Sequence, residues 1–324
     1  MEETRPIPVD LGVLLTDMGS PASPADLEAF LRALLGDPRI LRVPLGALVR
    51  PLLARYIART RARKVAAHYE AIGGGSPLLP GTCRLAAAVE AVVRLPVGVA
   101  MRYTKPRLAT ALEDLRCRGV RRVVLIPLYP QYSTSTTAST LDDLDRHRPL
   151  DMEITVVERH ADQAAWLDIM AGLLGEAIAE TRPETRVLFT AHSIPERFTR
   201  DGDPYVSEID AAVSGISARA GLAPGRGSLA YQSTGPVGRW HGPSWEDEVD
   251  RLHGERARAL VVQPLSFVSE NLETLWDLDI VMRRRCEDLG IAFTRVPTPG
   301  ASPGYAALLG DLAIDAARKE AWIP

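Results

Sequence analysis

Short apolar runs alternate with longer stretches of helical periodicity along most of the chain. Runs rich in Val, Ile, Leu and Phe have the length and composition of buried strands, and they predict strands over 11–15, 97–101, 123–128, 154–157, 187–189, 260–262 and 291–294. In other segments apolar residues recur every three or four positions, which predicts helices over 24–35, 108–118, 163–179, 271–289 and 302–319. Strands that alternate with helices form βαβ units, so we predict an α/β protein with mainly parallel sheets.

A weak internal repeat bears on the domain organisation. Segment 13–16 lies four residues before Pro21, and segment 187–190 lies four residues before Pro195. Segments 122–128 and 258–265 also resemble each other. Two explanations remain open, which are chance similarity of buried strands and two similar α/β halves. If there are two similar halves, the first is 1–152 and contains a lip segment at 41–77, and the second is 153–302. The last helix, 303–324, would pack on either half. Ligands of open α/β sheets bind beyond the carboxyl ends of strands, so we expect the site in a cleft between the halves.

Composition narrows the class of protein. The net charge of −3 argues against a nucleic-acid partner, because such proteins usually carry a strong basic excess. No stretch of about 18 apolar residues predicts a membrane span, and the first residues lack a signal-peptide pattern, so we expect a cytoplasmic protein. Three cysteines without C-x-x-C spacing predict thiols rather than a disulfide or metal site.

His192 follows a predicted strand at the point where it opens into a loop. A lone histidine is often a structural residue, but an imidazole in this position can also act as a base. The neighbouring Ser193 lacks the G-x-S-x-G pattern of a nucleophile elbow, and no carboxylate is placed by the sequence to orient His192. The sequence therefore disfavours a serine hydrolase.

Three carboxylates occur at the start of the predicted helix 271–289. Glu270, Glu273 and Asp277 are spaced by three and four residues, which predicts that they share one helix face. Acidic residues are favoured at helix amino termini, which is one explanation of the pattern. The other is that mutual repulsion gives the row affinity for protons or a divalent cation. Because no closed ligand set such as His-x-x-x-His is present, a site of metal transit fits better than a permanent one.

Further parts of the chain have candidate binding chemistry. The loop 73–77 is rich in glycine but lacks the Lys and Thr of a P-loop, so it predicts no nucleotide site, although Ser76 could donate a hydrogen bond to an anionic group. Several loops each supply aromatic residues suited to a flat conjugated ligand, namely Tyr129, Tyr132, Trp240 and Phe267. Segment 41–64 mixes apolar residues with arginines, which is typical of a solvated helix, of a lip that contacts anionic lipid, or of one that attracts a carboxylated substrate.

Taken together, these segments resemble the ferrochelatase family, enzymes that insert ferrous iron into a porphyrin at the end of haem synthesis. The resemblance extends over nearly the whole chain, through 15–21, 72–77, 101–103, 128–137, 191–195, 202–205, 231–233, 240–243 and 267–278. It implies two flavodoxin-like halves. It also implies a lyase that inserts Fe²⁺ into protoporphyrin IX with release of two protons, has porphyrin and ferrous iron as its substrates, and holds no permanently bound cofactor.

The resemblance also assigns roles to residues of this sequence. The catalytic histidine of the family falls on His192 and its helix glutamate on Glu273, and both are implied to lie next to the metal. Glu270 and Asp277 fall on a proton or metal path, along a helix that in relatives includes a widened turn of π type. The residues implied to line the porphyrin site or to lie near the propionates are Met18, Ser76, Arg102, Tyr103, Tyr129, Trp240 and Phe267.

The chain departs from the family pattern at three places. Asn271 stands where many relatives have a second histidine, so a proton-transfer role there is in doubt. His160 stands where some relatives have tryptophan, which implies an altered wall of the cleft. Thr134 occupies the upstream cysteine position of relatives that bind a [2Fe-2S] cluster, and no cysteine-rich tail follows Pro324, so we expect no cluster.

Several alternatives remain open at this stage. The substrate could be coproporphyrin, and the inserted metal could be cobalt or nickel. A haem-binding carrier without turnover is a further alternative, which the retention of His192 and Glu273 disfavours. A two-domain solute-binding protein is another, which the missing signal peptide disfavours. The oligomeric state, monomer or homodimer, and a peripheral contact with the inner face of a membrane are also left open.

Overall fold

The computed structural model describes residues 10–43, 45–235 and 238–324. Within these residues the strands form two four-stranded sheets, and all neighbouring strands are parallel. Each sheet belongs to its own compact unit of the chain. The first unit contains the described residues up to Tyr129 with Thr134–Arg159 and Gly300–Pro324, and the second contains Pro130–Ser133 and His160–Pro299. The predicted α/β class with two similar halves is confirmed.

The elements are numbered along the chain. The strands are β1 (Leu11–Asp17), β2 (Val97–Met101), β3 (Arg122–Pro127), β4 (Glu153–Val156), β5 (Arg186–His192), β6 (Gly227–Gln232), β7 (Ala259–Pro264) and β8 (Ala292–Arg295). The helices are α1 (Leu27–Leu35), α2 (Gly46–Ala71), α3 (Leu78–Val93), α4 (Leu108–Cys117), α5 (Thr137–His147), α6 (Ala164–Ala179), α7 (Glu196–Arg200), α8 (Tyr205–Arg219), α9 (Trp245–Gly254), α10 (Arg283–Asp288) and α11 (Pro303–Lys319). A π-helix over Glu273–Met282 continues directly into α10.

The two sheets have equivalent strand orders, β2-β1-β3-β4 and β6-β5-β7-β8. Central strand β1 is buried along its whole length, and β5 is buried except at its two ends, which explains their nearly uninterrupted apolar sequences. In the first sheet Leu15 lies opposite Val99 and Ile126, and in the second Thr190 lies opposite Ala230 and Pro264. The sequence repeat therefore relates β1 to β5 and β3 to β7, the strands that occupy equivalent places.

All seven predicted strands are present, and β6 was not predicted. Its sequence begins Gly227-Ser228, its first three residues are half-buried, and it lies at the edge of its sheet, so it lacks a continuous apolar run. Strand β4 pairs with β3, which extends the first unit to Arg159. The predicted boundary after residue 152 would separate β4 from this sheet. Helix α11 packs against α3 and thus belongs to the first unit.

His160 lies in the core of the second unit. The side chain is fully buried, and its ring meets that of Trp166 edge-on with 5.4 Å between centroids. Burial lowers the pKa of His160 to about 3, so the ring is neutral at physiological pH. Its side chain therefore has no exposed surface with which to contact a ligand directly, and the expectation that it alters a wall of the ligand site remains a prediction.

No helix in the described part of the chain is both long and apolar enough to cross a bilayer. Helix α2 has the greatest length among the described helices, but charged residues interrupt its apolar positions.

Candidate functional site

The predicted site residues follow the carboxyl ends of parallel strands. In the first unit Met18, Arg102 and Tyr129 come at or just after the ends of β1, β2 and β3, which are neighbours in the sheet. In the second unit His192 is the last residue of β5, and Phe267 lies three residues beyond the end of β7. Each unit therefore collects its candidate residues at the sheet edge where ligands of α/β proteins bind.

His192 is half-buried beside Gln232, its partner in the register of β5 and β6. The Nδ1 atom lies 2.6 Å from the carbonyl oxygen of Ser193. Because a carbonyl oxygen can only accept, we assign the ring hydrogen to Nδ1, which donates it to this oxygen. In the neutral ring the lone pair of Nε2 then remains available to accept a proton.

The charge state of His192 follows from its surroundings. Burial lowers the pKa of His192, while the Ser193 carbonyl and the negative charge of Asp277 act in the opposite direction. Burial has the larger effect, so the pKa lies below its ordinary value and the imidazole is neutral at pH 7. This is the protonation state that a general base requires.

Asp277 is held by the loop that follows β6. Ser233 Oγ donates a hydrogen bond of 2.9 Å to Asp277 Oδ2. The φ angle of Ser233 is +61°, in the left-handed region that residues other than glycine rarely adopt. Strain of this kind persists where surrounding contacts enforce it, and it is concentrated at functional sites. Ser233 thus fixes the carboxylate whose charge acts on His192.

Trp240 is positioned by the segment that follows His192. Pro195 and Trp240 form an isolated antiparallel bridge, and the Glu196 N–H donates to the Arg239 carbonyl at 2.9 Å. Ser193 Oγ donates to the carbonyl oxygen of His241 at 2.7 Å. These contacts fasten the Trp240 loop to the end of β5, so the half-buried indole lies close in the fold to the His192 strand end.

The acidic helix begins later than the sequence pattern predicts. The Thr274 N–H donates to Asn271 Oδ1 at 2.9 Å, and the Asn271 N–H donates to Thr274 Oγ1 at 3.0 Å. This reciprocal pair has the pattern of a capping box, and the first helical residue is residue 272. Asn271, at the position where relatives were expected to carry histidine, therefore serves as the helix cap.

The prediction of three carboxylates on one helix face is wrong, because Glu270 precedes the helix. Glu273 and Asp277 both lie in the π-helix, whose wider turn still places residues four apart on nearly the same side. The π winding itself agrees with the widened turn implied by the family resemblance.

Both carboxylate oxygens of Glu270 are engaged. Thr274 Oγ1 donates to Oε2 at 2.7 Å, while Oε1 accepts from Arg295 Nη1 at 3.1 Å and from Thr298 Oγ1 at 3.2 Å. Arg295 also donates from Nε to Asp279 Oδ1 at 2.8 Å. Glu270 is thus an anchor for the start of the helix in this conformation.

Glu273 contrasts with Glu270. Its side chain is half-buried and has no ion-pair partner among the described residues. Burial raises the pKa of Glu273, and a hydrogen bond from its own backbone N–H offsets this in part. A carboxyl group in these surroundings holds a proton more readily than an exposed one.

Arg102 and Tyr103 are engaged within the first unit. Both are buried, with 8% and 5% of their surface exposed. Arg102 Nη2 lies 2.8 Å from Asp37 Oδ2, and Tyr103 Oη donates to the same oxygen at 2.8 Å. Arg102 Nε also donates to Ser139 Oγ at 2.9 Å, and Asp143 lies 3.5 Å from the guanidinium. The predicted contact of both residues with porphyrin remains a prediction.

The remaining candidates of the first unit are Met18, Ser76 and Tyr129. Met18 is half-buried, and its N–H donates to Asp17 Oδ1 at 2.6 Å. Ser76 is buried, and its Oγ accepts the N–H of Leu78 at 3.2 Å, at the start of α3. Burial raises the pKa of Tyr129, and the charge of Asp17 adds to this. Tyr129 is therefore a neutral phenol.

In residues 10–43, 45–235 and 238–324, no three side chains of His, Cys, Asp or Glu form a group that could hold a metal ion.

Sequence reasoning did not identify Asp37, Ser233, Thr274 or Arg295. The spacing of Asn271 and Thr274 matches a capping box, so this pair could have been found. The Ser233–Asp277 bond joins residues 44 apart and the Arg295–Glu270 bond residues 25 apart, and no local pattern encodes such contacts.

Comparisons with known proteins agree with this architecture. A sequence model of the ferrochelatase family matches residues 10–317. The ferrochelatase of Synechococcus sp. (strain JA-3-3Ab) is 40% identical over 310 residues, which cover 91% of this chain and 90% of that protein. The ferrochelatase of Geotalea daltonii is 38% identical over 311 residues, covering 93% and 96%.

Among solved structures, SirB from Bacillus subtilis with Fe³⁺ aligns with a TM-score of 0.57 over 96% of this chain and 97% of that one. Its sequence identity is 12%, so this likeness concerns the fold alone. The family model and the two relatives cover nearly the whole sequence, and this chain belongs to the ferrochelatase family.

Proposed function

We propose that this chain inserts ferrous iron into protoporphyrin IX to give protohaem, with His192 as the base. As a member of the ferrochelatase family it is a porphyrin metal-inserting enzyme of the lyase class. The choice of protoporphyrin rests on Met18 and on loop 73–77, which resemble the protoporphyrin type. The observation that carries the proposal is the place of His192 at the carboxyl end of β5, where Nδ1 is bonded to the Ser193 carbonyl and leaves Nε2 to accept a proton.

Insertion breaks two pyrrole N–H bonds, so two protons must leave as the iron enters. Nε2 of His192 accepts one of them, and the charge of Asp277 stabilises the imidazolium that forms. Glu273 is suited to take the second, because burial raises its pKa and makes the protonated carboxyl favourable. Both protons then pass to solvent and return these groups to their starting state.

Ferrous iron is a substrate in this scheme. His192 and Glu273 are the proposed groups next to the incoming metal, and Asp277 is the next carboxylate along the π-helix. Glu270 was expected to belong to the same path, but its oxygens are bonded to Thr274, Arg295 and Thr298. We assign it the role of an anchor. The proposal includes no permanently bound cofactor and no iron–sulfur cluster.

Porphyrin binding is assigned to side chains with accessible surface. Met18, Trp240 and Phe267 are half-buried and can contact the flat macrocycle. Arg102 and Tyr103 are buried and bonded to Asp37, so we assign them an indirect role through the first-unit network.

Helix α2 forms the lip segment. Its exposed apolar residues recur at helical spacing on one face, and they are Leu48, Val49, Leu52 and Tyr56; Leu45, just before the helix, is also exposed. The opposite face buries Ala54 and Ala58. Three exposed basic residues lie on or beside this apolar face, namely Arg55, Arg59 and Arg63, while Arg61 and Lys64 are exposed elsewhere on the helix. Apolar and positive surface together suit a reversible contact with an anionic membrane, which we propose for this helix.

An anaerobic insertion assay tests the proposed reaction. Purified protein is mixed with Fe²⁺ and either protoporphyrin IX or coproporphyrin III, and the absorbance change of the macrocycle is followed. We expect faster insertion into protoporphyrin IX. His192→Ala should lower turnover at least ~10²-fold, the scale for losing a general base, while porphyrin still binds. Glu273→Gln should also abolish insertion without unfolding the protein.

Matched variants act as controls. His253→Ala and Glu287→Gln change the same residue types at exposed positions of the second unit, and both should retain wild-type turnover. Near-normal insertion by His192→Ala would refute its role as the base. Faster use of coproporphyrin III would refute the substrate assignment, and stable haem binding without insertion would favour a carrier.

A further inference from the structure

Arg295, the last residue of β8, joins the segment before the π-helix to the helix itself. Its side chain is 11% exposed, and its guanidinium donates from Nη1 to Glu270 and from Nε to Asp279. Glu270 precedes the helix, whereas Asp279 lies within its π-wound part. The rigid, planar guanidinium of Arg295 therefore forms a clamp between two carboxylates, Glu270 and Asp279, which are separated by most of the π-helix.

The backbone of Arg295, from which the clamp extends, is fixed to the sheet. Val262 lies opposite Arg295 in the register of β7 and β8, and the Val296 N–H donates to the Val262 carbonyl at 2.8 Å. Glu270 is fixed in turn by Thr298, which follows β8, and by Thr274 in the first turn of the helix. The clamp thus fixes the position of the helix relative to edge strand β8 and, through it, to the buried strand β7.

The winding of the segment determines whether such a clamp can form. From residue 272 to residue 279 an α-helix makes about two turns, but the wider π winding makes only roughly one and a half. Rewinding the segment as an α-helix would therefore rotate Asp279 by roughly a third of a turn relative to Glu270. The guanidinium could not keep both carboxylates after that rotation, so contact with both selects the π winding.

This selection matters because long π-helices are rare. They occur mostly as single turns within α-helices, often at functional sites, and they need compensating contacts to persist. Here the π winding continues from Glu273 to Met282. The same ten residues include Glu273 and Asp277, so any rewinding would move both carboxylates relative to His192 and Ser233.

We propose that Arg295 is a positioning residue that holds residues 273–282 in the π winding and thereby places Glu273 and Asp277 for metal insertion. The last part of this statement rests on the proposed function, whereas the winding itself does not. Arginine is suited to this task because its fork of donors reaches two carboxylates at fixed angles. A lysine ammonium is a point charge on a flexible chain, and it cannot hold both in the same geometry.

The test combines hydrogen exchange with kinetics on the full-length chain. In Arg295→Lys and Arg295→Gln, we expect amide exchange in peptides covering 273–282 to become at least tenfold faster than in the wild type. We expect kcat for iron insertion to fall at least tenfold, while the KM for porphyrin changes less than threefold. Asp279→Asn should change exchange and kcat in the same direction, and the double variant Arg295→Gln with Asp279→Asn should be no worse than Arg295→Gln alone.

Arg285→Gln is the matched control. Arg285 pairs with Asp250 from the exposed surface of α10, directly after the π-helix, so its loss should leave exchange and kcat unchanged. Wild-type exchange over 273–282 in both Arg295 variants would overturn the clamp, and so would additive effects in the double variant. If Arg295→Gln does not fold, Arg295→Lys and Asp279→Asn decide the matter. If the wild type inserts no iron, the exchange data still test the winding, while the proposed function fails by itself.

Discussion

The Asp37 carboxylate and the Arg102 guanidinium form a buried ion pair in the first unit, with 2.8 Å between Oδ2 and Nη2. Only 1% of the Asp37 side chain and 8% of the Arg102 side chain are exposed. The same carboxylate oxygen accepts from Tyr103 Oη and from Ser139 Oγ, the latter at 2.6 Å. Asp37 follows α1, whereas its partners follow β2 and lie in α5, so the group ties the segment that leads into the lip helix to the sheet.

Asp37→Asn should destabilise the protein strongly. Removing one partner of a buried ion pair leaves the other charge without full compensation, so we expect the free energy of unfolding to fall by about 3 kcal/mol. Asp142→Asn is the control, because Asp142 pairs with Arg39 at a more exposed position and should cost about 1 kcal/mol or less. Urea denaturation measures both values. Equal losses in the two variants would mean that the Asp37 network contributes little more than a surface pair.

These elements show which parts of the fold can be predicted from sequence. Strands β1 and β5 are predictable because burial between helices demands an apolar run, whereas edge strand β6 is under no such demand. The position of His192 at a strand end is predictable because it follows an apolar run, and the carboxyl end of a parallel strand is where α/β proteins place functional groups. The expected place of Glu270 on the helix is wrong because the capping contacts of Asn271, rather than the spacing of charges, decide where the helix starts.

Other parts of the site depend on contacts that sequence spacing does not encode. Ser233 reaches Asp277 only through an unusual backbone angle, and Arg295 reaches Glu270 and Asp279 only because β8 lies beside β7. The embedding of Arg102 among acidic and hydroxyl groups is equally a result of tertiary packing. The family resemblance singled out Arg102 as a candidate porphyrin contact but did not indicate the partners that surround it.

The cap at Asn271 predicts a graded set of variants. Asn271→Ala removes the acceptor for the Thr274 N–H, so we expect a loss of about 1 kcal/mol in the free energy of unfolding. Asn271→Ser and Asn271→Asp retain an acceptor at the cap and should stay within a few tenths of a kcal/mol of the wild type. Thermal and urea unfolding give the ranking. Equal stability of the Ala and Ser variants would show that the capping bonds do not contribute.

The buried His160 predicts a specific pH dependence of stability. Its pKa is about 3 in the folded protein and 6.5 when unfolded, so below pH 6.5 the unfolded chain binds a proton that the folded chain does not. Stability should therefore fall with pH by about 1.4 kcal/mol per unit, or about 2 kcal/mol between pH 6.5 and 5. His160→Phe should remove this part of the slope, and the exposed His253→Gln should not. An unchanged slope in His160→Phe would contradict the assignment.

The charge of Asp277 should help to set the pH at which kcat/KM falls on the acid side of the pH profile. Its negative charge favours the imidazolium form of His192 and so raises the pKa of that residue. Asp277→Asn should lower this pKa, and the fall of kcat/KM on the acid side should then occur at lower pH, whatever the height of the profile. Asp288→Asn, which removes an exposed carboxylate from α10, should leave the limb in place. A shift to higher pH in Asp277→Asn would contradict the proposed role of the charge.

The lip helix predicts salt-sensitive binding to anionic membranes. Each basic residue near such a surface contributes about 1 kcal/mol, and the attraction falls within a Debye length, which is about 10 Å at 0.1 M salt. The protein should therefore float with phosphatidylglycerol vesicles at low salt, much less at high salt, and not with neutral phosphatidylcholine vesicles. Arg55→Glu with Arg59→Glu should abolish flotation. The control pair Arg146→Glu with Arg148→Glu changes the net charge equally at exposed positions outside α2 and should still float. Failure of the wild type to float at low salt would leave α2 as a solvated helix, and equal loss in both pairs would show that only net charge matters.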